Sequence, residues 1–266
     1  MSKQKINLTP VGSGNVVLIA GGGKTYADVA ARFCRTEKDL ESIIGSEYDK
    51  KLLKSAIDKG HLSVAEFDYF VFGVEGYSRV CETQLVRKRH ASYLIKSGRA
   101  EKKGKRSYDL VLPPSILDVK TEMTVNVEDG SVVKISVGVE ELVKLLSQWY
   151  DQGVKDGVPE EDLRYMKPQA TEFKAIIGMN AHALMDFFYR RCCNCAQAEI
   201  RDLANKMLRL CKEAAPDLFE SAGAPCRTLG YCPENNFQCQ QFKGKIPTKN
   251  DLGDLIKSWR ESREED

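Results

Sequence analysis

The sequence lacks any long apolar run, although 42% of its 266 residues are hydrophobic. Without a stretch of about 18 apolar residues, no membrane-spanning helix and no membrane partner are expected. The start of the chain is polar, and the first apolar stretch, residues 16–20, is too short for a signal peptide. The sequence therefore predicts a cytoplasmic protein.

A strong net charge is also absent. The 40 Lys and Arg residues and 38 Asp and Glu residues leave a formal net charge of +2. Because a nucleic-acid-binding surface needs a broad excess of cations, no nucleic acid partner is expected. The basic residues cluster locally, between positions 87 and 106, and such a cluster suits an anion the size of a nucleotide.

Disulfide bonds are not expected, although the chain contains nine cysteines. In a cytoplasmic protein, cysteines are more often free thiols or metal ligands. Cys192 and Cys195 form a CxxC pair, and three more cysteines follow in the tail: Cys226, Cys232 and Cys239. A zinc or iron–sulfur site and a nucleophilic Cys195 beside Arg191 are two alternatives. The loose spacing in the tail favours inert buried thiols, and we predict no metal site.

The pattern of apolar residues predicts a mixed α/β fold. Strands are predicted at residues 15–20 and 67–77, and Asp129-Gly130 joins the predicted hairpin strands 123–127 and 132–137. Residues 78–88 are ambiguous, with helical spacing of some apolar positions. Helices are predicted at residues 26–33, 48–59, 140–150, 160–167, 181–190 and 196–214. The simplest organisation is one domain, residues 1–222, and a loop-like, cysteine-containing tail, residues 223–266.

The segment from Arg87 to Arg99 carries the residue types that a phosphate site needs. Arginine forks and serine hydroxyls donate to phosphate oxygens, and a glycine lets the backbone N–H approach closely. Ser97, Gly98 and Arg99 are predicted to form a turn that cradles a phosphate. A solvated basic turn is the alternative.

The chain resembles the flavin-dependent thymidylate synthases over roughly residues 15–240. Their signature aligns with residues 87–100. It reads Arg-His-Arg, two residues, Ser, one residue, Asn-Glu, one residue, Ser, one residue, Arg-Tyr. Other similar segments are His61-Leu62-Ser63 with Glu66, Ser78-Arg79, residues 84–87, 163–168, 179–181 and 191–201, and the tail residues Cys226, Cys232-Pro233-Glu234 and Cys239. The resemblance implies an α+β fold with a largely antiparallel sheet flanked by helices. It also implies a homotetramer whose sites form between subunits.

The resemblance further implies an activity, the methylation of dUMP at C5 to give dTMP. In that family, methylenetetrahydrofolate supplies the carbon, FAD carries the hydride and NADPH reduces the flavin. The positions assigned to dUMP are well matched: Gln84, Arg87, Ser97, Gly98, Arg99, Arg164 and Arg191. Arg191 is the implied catalytic residue, since it would donate to a uracil carbonyl and stabilise negative charge during attack by C5.

The signature is degenerate on the flavin and folate side. Lys88 replaces the histidine, Leu94-Ile95 replaces Asn-Glu, and an apolar pair cannot donate or accept hydrogen bonds in their place. Further replacements are Ala100 for Tyr, Phe67 for His, His182 for Arg and Ala198 for Trp. The positions that the resemblance assigns to FAD are Glu66, Arg89, His90, Asn180, His182 and Gln197. Two alternatives are a diverged enzyme with other C5 chemistry, such as hydroxymethylation, and a non-catalytic nucleotide-binding partner.

Overall fold

The structure is a computed structural model that describes residues 6–22, 26–97, 108–236, 239 and 246–264. The strands of these residues are β1 (Ile6–Pro10), β2 (Asn15–Ala20), β3 (Tyr69–Ser78), β4 (Ser92–Ile95), β5 (Tyr108–Leu112), β6 (Thr121–Asn126), β7 (Val132–Val137) and β8 (Glu172–Asn180). The helices are α1 (Tyr26–Phe33), α2 (Leu40–Ile44), α3 (Lys50–Asp58), α4 (Arg79–Leu85), α5 (Val139–Lys155), α6 (Glu160–Leu163), α7 (Ala181–Arg191), α8 (Ala198–Ala214), α9 (Pro216–Phe219), α10 (Pro225–Leu229) and α11 (Lys249–Glu264). Short 3₁₀ helices lie at Leu62–Phe67, Pro114–Ile116 and Arg164–Met166.

The strands form three sheets. The largest has four strands in the order β2-β3-β8-β4, while β1 and β5 pair in parallel and β6 and β7 form an antiparallel hairpin. In the hairpin, Thr121 lies opposite Val137 and Asn126 opposite Val132, close to the predicted bounds. The predicted mixed fold with a largely antiparallel sheet is confirmed. No helix among the described residues has both the length and the apolar character needed to cross a membrane.

The chain divides into two compact units. The first contains the described residues of Met1–Asn15, Val74–Arg87 and Leu94–Ile176, and the second contains those of Val16–Gly73, Lys88–Tyr93 and Ile177–Asp266. This division differs from the predicted boundary after residue 222, which stays a prediction.

The first unit has its core under α5. Glu141 begins this helix by accepting the Gly138 N–H at 3.0 Å, and the helix then buries Val143 and Tyr150 on one face. These two side chains pack with the buried Leu110, Leu112 and Leu163. Because Leu163 is the last residue of α6, this packing fixes the start of the turn that follows it.

The second unit has an aromatic core. Phe188 of α7 lies edge-on to Phe187 and to Phe219 of α9, and Phe219 contacts Phe70 of β3 with ring centroids 5.3 Å apart. All four rings are buried, and each contributes roughly 1.5–3 kcal/mol of burial free energy. The predicted apolar spacing of the 196–214 helix is confirmed in α8, where Ile200, Leu203 and Met207 are buried.

The C-terminal tail contains more helix than the sequence analysis predicts, so its description as loop-like is wrong. Helix α10 ends at Gly230, whose positive φ of 77° is the left-handed conformation of a helix C-cap. Helix α11 starts with a reciprocal cap, in which the Thr248 N–H donates to Asp251 at 2.7 Å and the Asp251 N–H to Thr248 at 3.4 Å. The Thr-x-x-Asp spacing is the signal that could have indicated this helix.

Asp68 carries a buried carboxyl at the start of α1, where it accepts the N–H groups of Tyr26 and Ala27 at 2.8 and 3.2 Å. Burial raises the pKa of this carboxyl above 3.8, against the effect of the two hydrogen bonds. The folded state therefore holds the proton more tightly than the unfolded state does. The contribution of Asp68 to stability consequently falls as the pH rises through the window that begins at 3.8.

Replacing Asp68 with Asn removes this titration. The single amide oxygen can still accept the Tyr26 N–H, but the Ala27 N–H loses its acceptor, which adds a cost that does not depend on pH. As the pH rises from about 4 to about 7, wild type loses the contribution of Asp68 and the variant does not. We therefore expect the free energy of unfolding of Asp68→Asn to increase relative to that of wild type over this range. Urea unfolding at several pH values measures this difference. A difference that is flat or declines with pH would contradict the prediction.

Candidate active site

The first unit contains an open cavity of about 600 Å³. Its walls come from the start of α4, the end of β4, the turn after α6 and the start of β8. The lining residues are Arg79, Glu82, Thr83, Lys96, Ser97, Asp109, Glu160, Arg164, Tyr165, Lys167, Pro168, Gln169, Thr171, Glu172, Phe173 and Lys174. A cavity of this volume and polarity suits a small, charged ligand.

Backbone hydrogen bonds tie the walls of the cavity together. The N–H groups of Arg79 and Val80, at the start of α4, donate to the carbonyls of Thr171 and Gln169 at 2.9 and 3.2 Å. The N–H of Lys96 donates to the carbonyl of Lys174 at 2.9 Å and so fixes the chain just before Ser97. These hydrogen bonds therefore hold the segments, and the side chains that they carry, in fixed positions around the cavity.

The turn after α6 presents Arg164 to the cavity. Leu163 is buried, whereas Arg164 is exposed and Tyr165 is 83% exposed, so the turn is anchored on one side only. The Lys167 N–H donates to the carbonyl of Arg164 at 3.0 Å and closes the turn. The N–H and hydroxyl of Thr171 both donate to the carbonyl of Pro168, which holds the next residues.

The cavity offers cations that its own carboxylates do not neutralise. Arg79 pairs with Glu82 at 2.6 Å, and Lys174 pairs with Glu75. Among the described residues, no carboxylate lies within 4.0 Å of the charged groups of Lys96 or Arg164. An ammonium, a guanidinium and the hydroxyl of the neighbouring Ser97 are the donors that a phosphate monoester requires.

Only part of the predicted nucleotide set meets in this cavity. Ser97 and Arg164 both line it. Gly98 and Arg99 lie outside the described residues. Gln84, half-buried on α4, and Arg87, exposed just after it, are not among the lining residues.

Arg191, the predicted catalytic residue, lies in the other unit, half-buried in the last turn of α7. The sequence analysis also missed lining residues: Arg79, Lys96, Lys167 and Lys174. Lys96 lies within the basic segment 87–99 and Arg79 within the similar segment Ser78-Arg79, so both belonged to segments already singled out.

The predicted FAD residues all lie in the second unit. His182 Nδ1 lies 3.1 Å from Glu66 Oε1, so these two predicted residues are in direct contact. Asn180 Oδ1 accepts the Ala183 N–H at 2.8 Å and caps α7. Gln197 Oε1 accepts the N–H groups of Glu199 and Ile200 at 3.1 and 3.2 Å and caps α8. Arg89 and His90 are exposed.

Lys88, which replaces the histidine of the family signature, is held in an ion pair. Its ammonium lies 2.7 Å from Asp186, which also pairs with Arg190 at 3.0 Å. Partial burial would raise the pKa of Asp186, but the hydrogen bonds from the two cations outweigh it and keep that pKa below its usual value. Leu94, in the place of the signature asparagine, is 69% exposed.

Tyr93, between these replaced positions, donates its hydroxyl to the carbonyl of Lys88 at 2.9 Å. Burial raises its pKa to about 12, so the hydroxyl stays protonated at neutral pH. The alternative of a nucleophilic Cys195 is not supported. A hydrogen bond to Glu234 raises the pKa of Cys195 to about 11, and a thiol of high pKa is a poor source of thiolate.

Comparison with known proteins gives a consistent result. The family model described as thymidylate synthase complementing protein matches residues 18–217. The flavin-dependent thymidylate synthase of Geobacter sulfurreducens is 37% identical over 214 residues, which cover 79% of this chain and 86% of the relative. That of Nitratidesulfovibrio vulgaris is 37% identical over 207 residues, covering 76% and 80%.

A solved structure shares the fold. The crystal structure of a UMP/dUMP methylase, PolB from Streptomyces cacaoi, bound with 5-Br dUMP, superposes with a TM-score of 0.63 at 20% sequence identity. The match covers 80% of this chain and 95% of that one. At this identity the likeness concerns the fold.

Proposed function

The chain belongs to the family of thymidylate synthase complementing proteins, as its sequence resemblance predicted, and from this premise we propose that it methylates dUMP at C5. The proposed reaction uses methylenetetrahydrofolate as the carbon donor and NADPH as the reductant, and its product is dTMP. The observation that carries the proposal is the cavity of the first unit, where Lys96, Ser97 and Arg164 offer donors for a nucleotide phosphate.

The residues of the proposed nucleotide site have two tasks, which are to bind the phosphate and to stabilise charge on the base. Lys96, Ser97 and Arg164 bind the phosphate and so fix the position of the base. Arg99 and Gly98 would complete this group, and Gln84 and Arg87 complete the proposed nucleotide set. Arg191, from the same copy of the chain or from a neighbouring one, donates to a uracil carbonyl and stabilises the negative charge that develops there.

The second unit supplies a donor set that fits a flavin dinucleotide. Exposed Arg89 and His90 offer cationic or N–H donors to phosphates, and His182 is oriented by Glu66. Asn180 and Gln197 use their carbonyl oxygens as helix caps, which leaves their NH₂ groups as donors. We propose that these residues hold FAD, which in its reduced form supplies the hydride.

Asn180 allows the helix cap and the FAD contact to be separated. Asn180→Asp keeps the oxygen that accepts the Ala183 N–H but removes the NH₂ donor, whereas Asn180→Ala removes both. We expect the Ala variant to lose about 1 kcal/mol of stability and the Asp variant to lose little. Both variants should bind FAD more weakly, as measured by flavin fluorescence on titration. Equal FAD affinity of wild type and Asn180→Asp would show that the residue is only a cap.

The proposed assembly is a homotetramer with sites at subunit interfaces. Two features of the first unit support association. The β6–β7 hairpin exposes Met123, Val125 and Ile135, and α5 exposes Leu145 and Trp149. Exposed apolar surface of this extent is typical of interfaces. Light scattering coupled to size-exclusion chromatography should give four times the chain mass of 29.8 kDa.

One set of measurements on the purified protein tests the proposal. The expected result is a flavin absorption spectrum, together with dTMP formation from dUMP that requires methylenetetrahydrofolate and NADPH. Binding of FAD and dUMP without dTMP would favour different C5 chemistry, such as hydroxymethylation. A colourless protein that binds dUMP but cannot be reconstituted with FAD would sink the enzymatic proposal and favour a nucleotide-binding partner.

A further inference from the structure

Three metal-ligating side chains meet in the second unit. The sulfurs of Cys193 and Cys195 and a carboxylate oxygen of Glu234 all lie within 4.8 Å of one another. Cys193 and Cys195 belong to the turn between α7 and α8, and Glu234 follows α10. Two segments about 40 residues apart in sequence thus place their donor groups at one point.

A further cysteine borders this cluster. Asn194 Nδ2, between the two cysteines, lies 3.6 Å from the sulfur of Cys239. Because Asn194 is flanked by two members of the cluster, this contact places the Cys239 sulfur beside the cysteine turn.

Both segments that carry the cluster are held by hydrogen bonds. The guanidinium of Arg201, on α8, donates to the carbonyls of Asn194 and Ala196 at 2.9 and 3.0 Å and fixes the cysteine turn. On the other side, the Cys232 N–H donates to the carbonyl of Pro247 at 2.8 Å, and the Lys249 N–H donates to the carbonyl of Cys232 at 2.9 Å. The start of α11 thereby fixes the chain just before Glu234.

We propose that Cys193, Cys195 and Glu234 bind one Zn²⁺ ion, with Cys239 as the fourth ligand. Zn²⁺ prefers four ligands in a tetrahedron, from thiolates, imidazoles or carboxylates. With Zn–S bonds of about 2.3 Å, the sulfurs of such a site lie roughly 3.8 Å apart, so the cluster needs only a small contraction. A carboxylate in the set favours Zn²⁺ over an iron–sulfur cluster, which is held mainly by cysteine thiolates.

Binding changes protonation and tertiary structure without any redox step. Each of the three thiols that become ligands releases its proton, the ionised carboxylate binds unchanged, and three Zn–S bonds form. The bound ion links the α7–α8 turn to the C-terminal tail. The proposed site is therefore structural.

The test measures zinc directly, so it is independent of the proposed enzyme activity. The full chain is purified without a metal-affinity tag, and its zinc content is measured by mass spectrometry after dialysis. We expect about one Zn²⁺ per chain and, after replacement with Co²⁺, the thiolate-to-cobalt charge-transfer absorption. Cys195→Ser should weaken zinc binding by about 100-fold or more, in competition with a chromophoric chelator.

Variants supply the controls. Cys34→Ser changes an exposed cysteine outside the cluster and should leave zinc binding unchanged. Glu234→Gln, which changes no cysteine, should weaken zinc binding and shows whether the effect of Cys195→Ser is more than misfolding. Cys239→Ser should weaken zinc binding, whereas Cys226→Ser, which changes a buried cysteine outside the proposed ligand set, should not.

Three outcomes would overturn the proposal. The first is a protein that takes up no zinc even when zinc is added in excess. The second is unchanged zinc affinity in both Cys195→Ser and Glu234→Gln. The third is a disulfide between Cys193 and Cys195, found by peptide mapping, in reductant-free protein that also fails to bind zinc after reduction.

Discussion

Arg164→Ala is expected to weaken dUMP binding by about 100-fold while leaving the affinity for deoxyuridine unchanged. A guanidinium that makes charge-assisted hydrogen bonds to a phosphate contributes about 1.5–3 kcal/mol, and 2.7 kcal/mol corresponds to 100-fold. Arg164 is suited to this because it lines the cavity and, among the described residues, has no carboxylate partner within 4.0 Å. Its loss therefore removes a ligand contact without breaking an ion pair within the described part of the chain.

The two ligands make the comparison specific. Deoxyuridine lacks the phosphate, so a residue that binds only phosphate cannot affect its affinity. Calorimetric titration of wild type and variant with each ligand measures the effect, and Arg35→Ala, which changes an exposed arginine outside the cavity, is the control. Lys96→Ala should show the same pattern with a smaller loss, about tenfold. An equal loss of affinity for both ligands would mean that Arg164 shapes the cavity rather than binding the phosphate.

The sequence predicts individual site residues better than it predicts where they meet. Ser97 and Arg164 were identified from motifs 67 positions apart, and the structure places both at one cavity. The lysines at 96 and 174 were missed. Lys96 lies in the basic segment 87–99 but is no part of the family signature, and a single lysine such as Lys174 has no local pattern that separates a site residue from a solvated one. Their role depends on the backbone hydrogen bond that brings the end of β4 beside β8, and such a long-range contact has no signal in a single sequence.

The same distinction holds for the fold. Helix α8 and the β6–β7 hairpin were predicted because their apolar periodicity and turn residues are local signals. Strand β8 was not predicted, although its second half is almost entirely buried, because its residues suit either a strand or a helix until a neighbouring strand is present. The helical tail was missed for another reason, since α11 is largely exposed and its start depends on the Thr248–Asp251 cap.

Arg191 has a task that differs from that of Arg164, and kinetics can separate the two. A phosphate contact is the same in the ground state and in the transition state, so its loss raises KM and changes kcat little. A donor to the uracil carbonyl is strongest when negative charge develops there, so its loss lowers kcat. We therefore expect Arg191→Ala to reduce kcat by about 10²–10³-fold, with a change in the Kd of dUMP of less than about tenfold.

The adjacent Arg190 provides a matched control for this variant. Both arginines lie in the last turn of α7, where a cation interacts favourably with the helix dipole, so either change to Ala should cost at most about 1 kcal/mol of stability. Arg190 is exposed and paired with Asp186 at 3.0 Å, and Arg190→Ala should keep kcat close to that of wild type. Arg191→Lys should recover part of the loss, because it keeps the charge but not the planar fork. If both alanine variants lower kcat equally, the effect belongs to the end of α7 and not to a catalytic arginine.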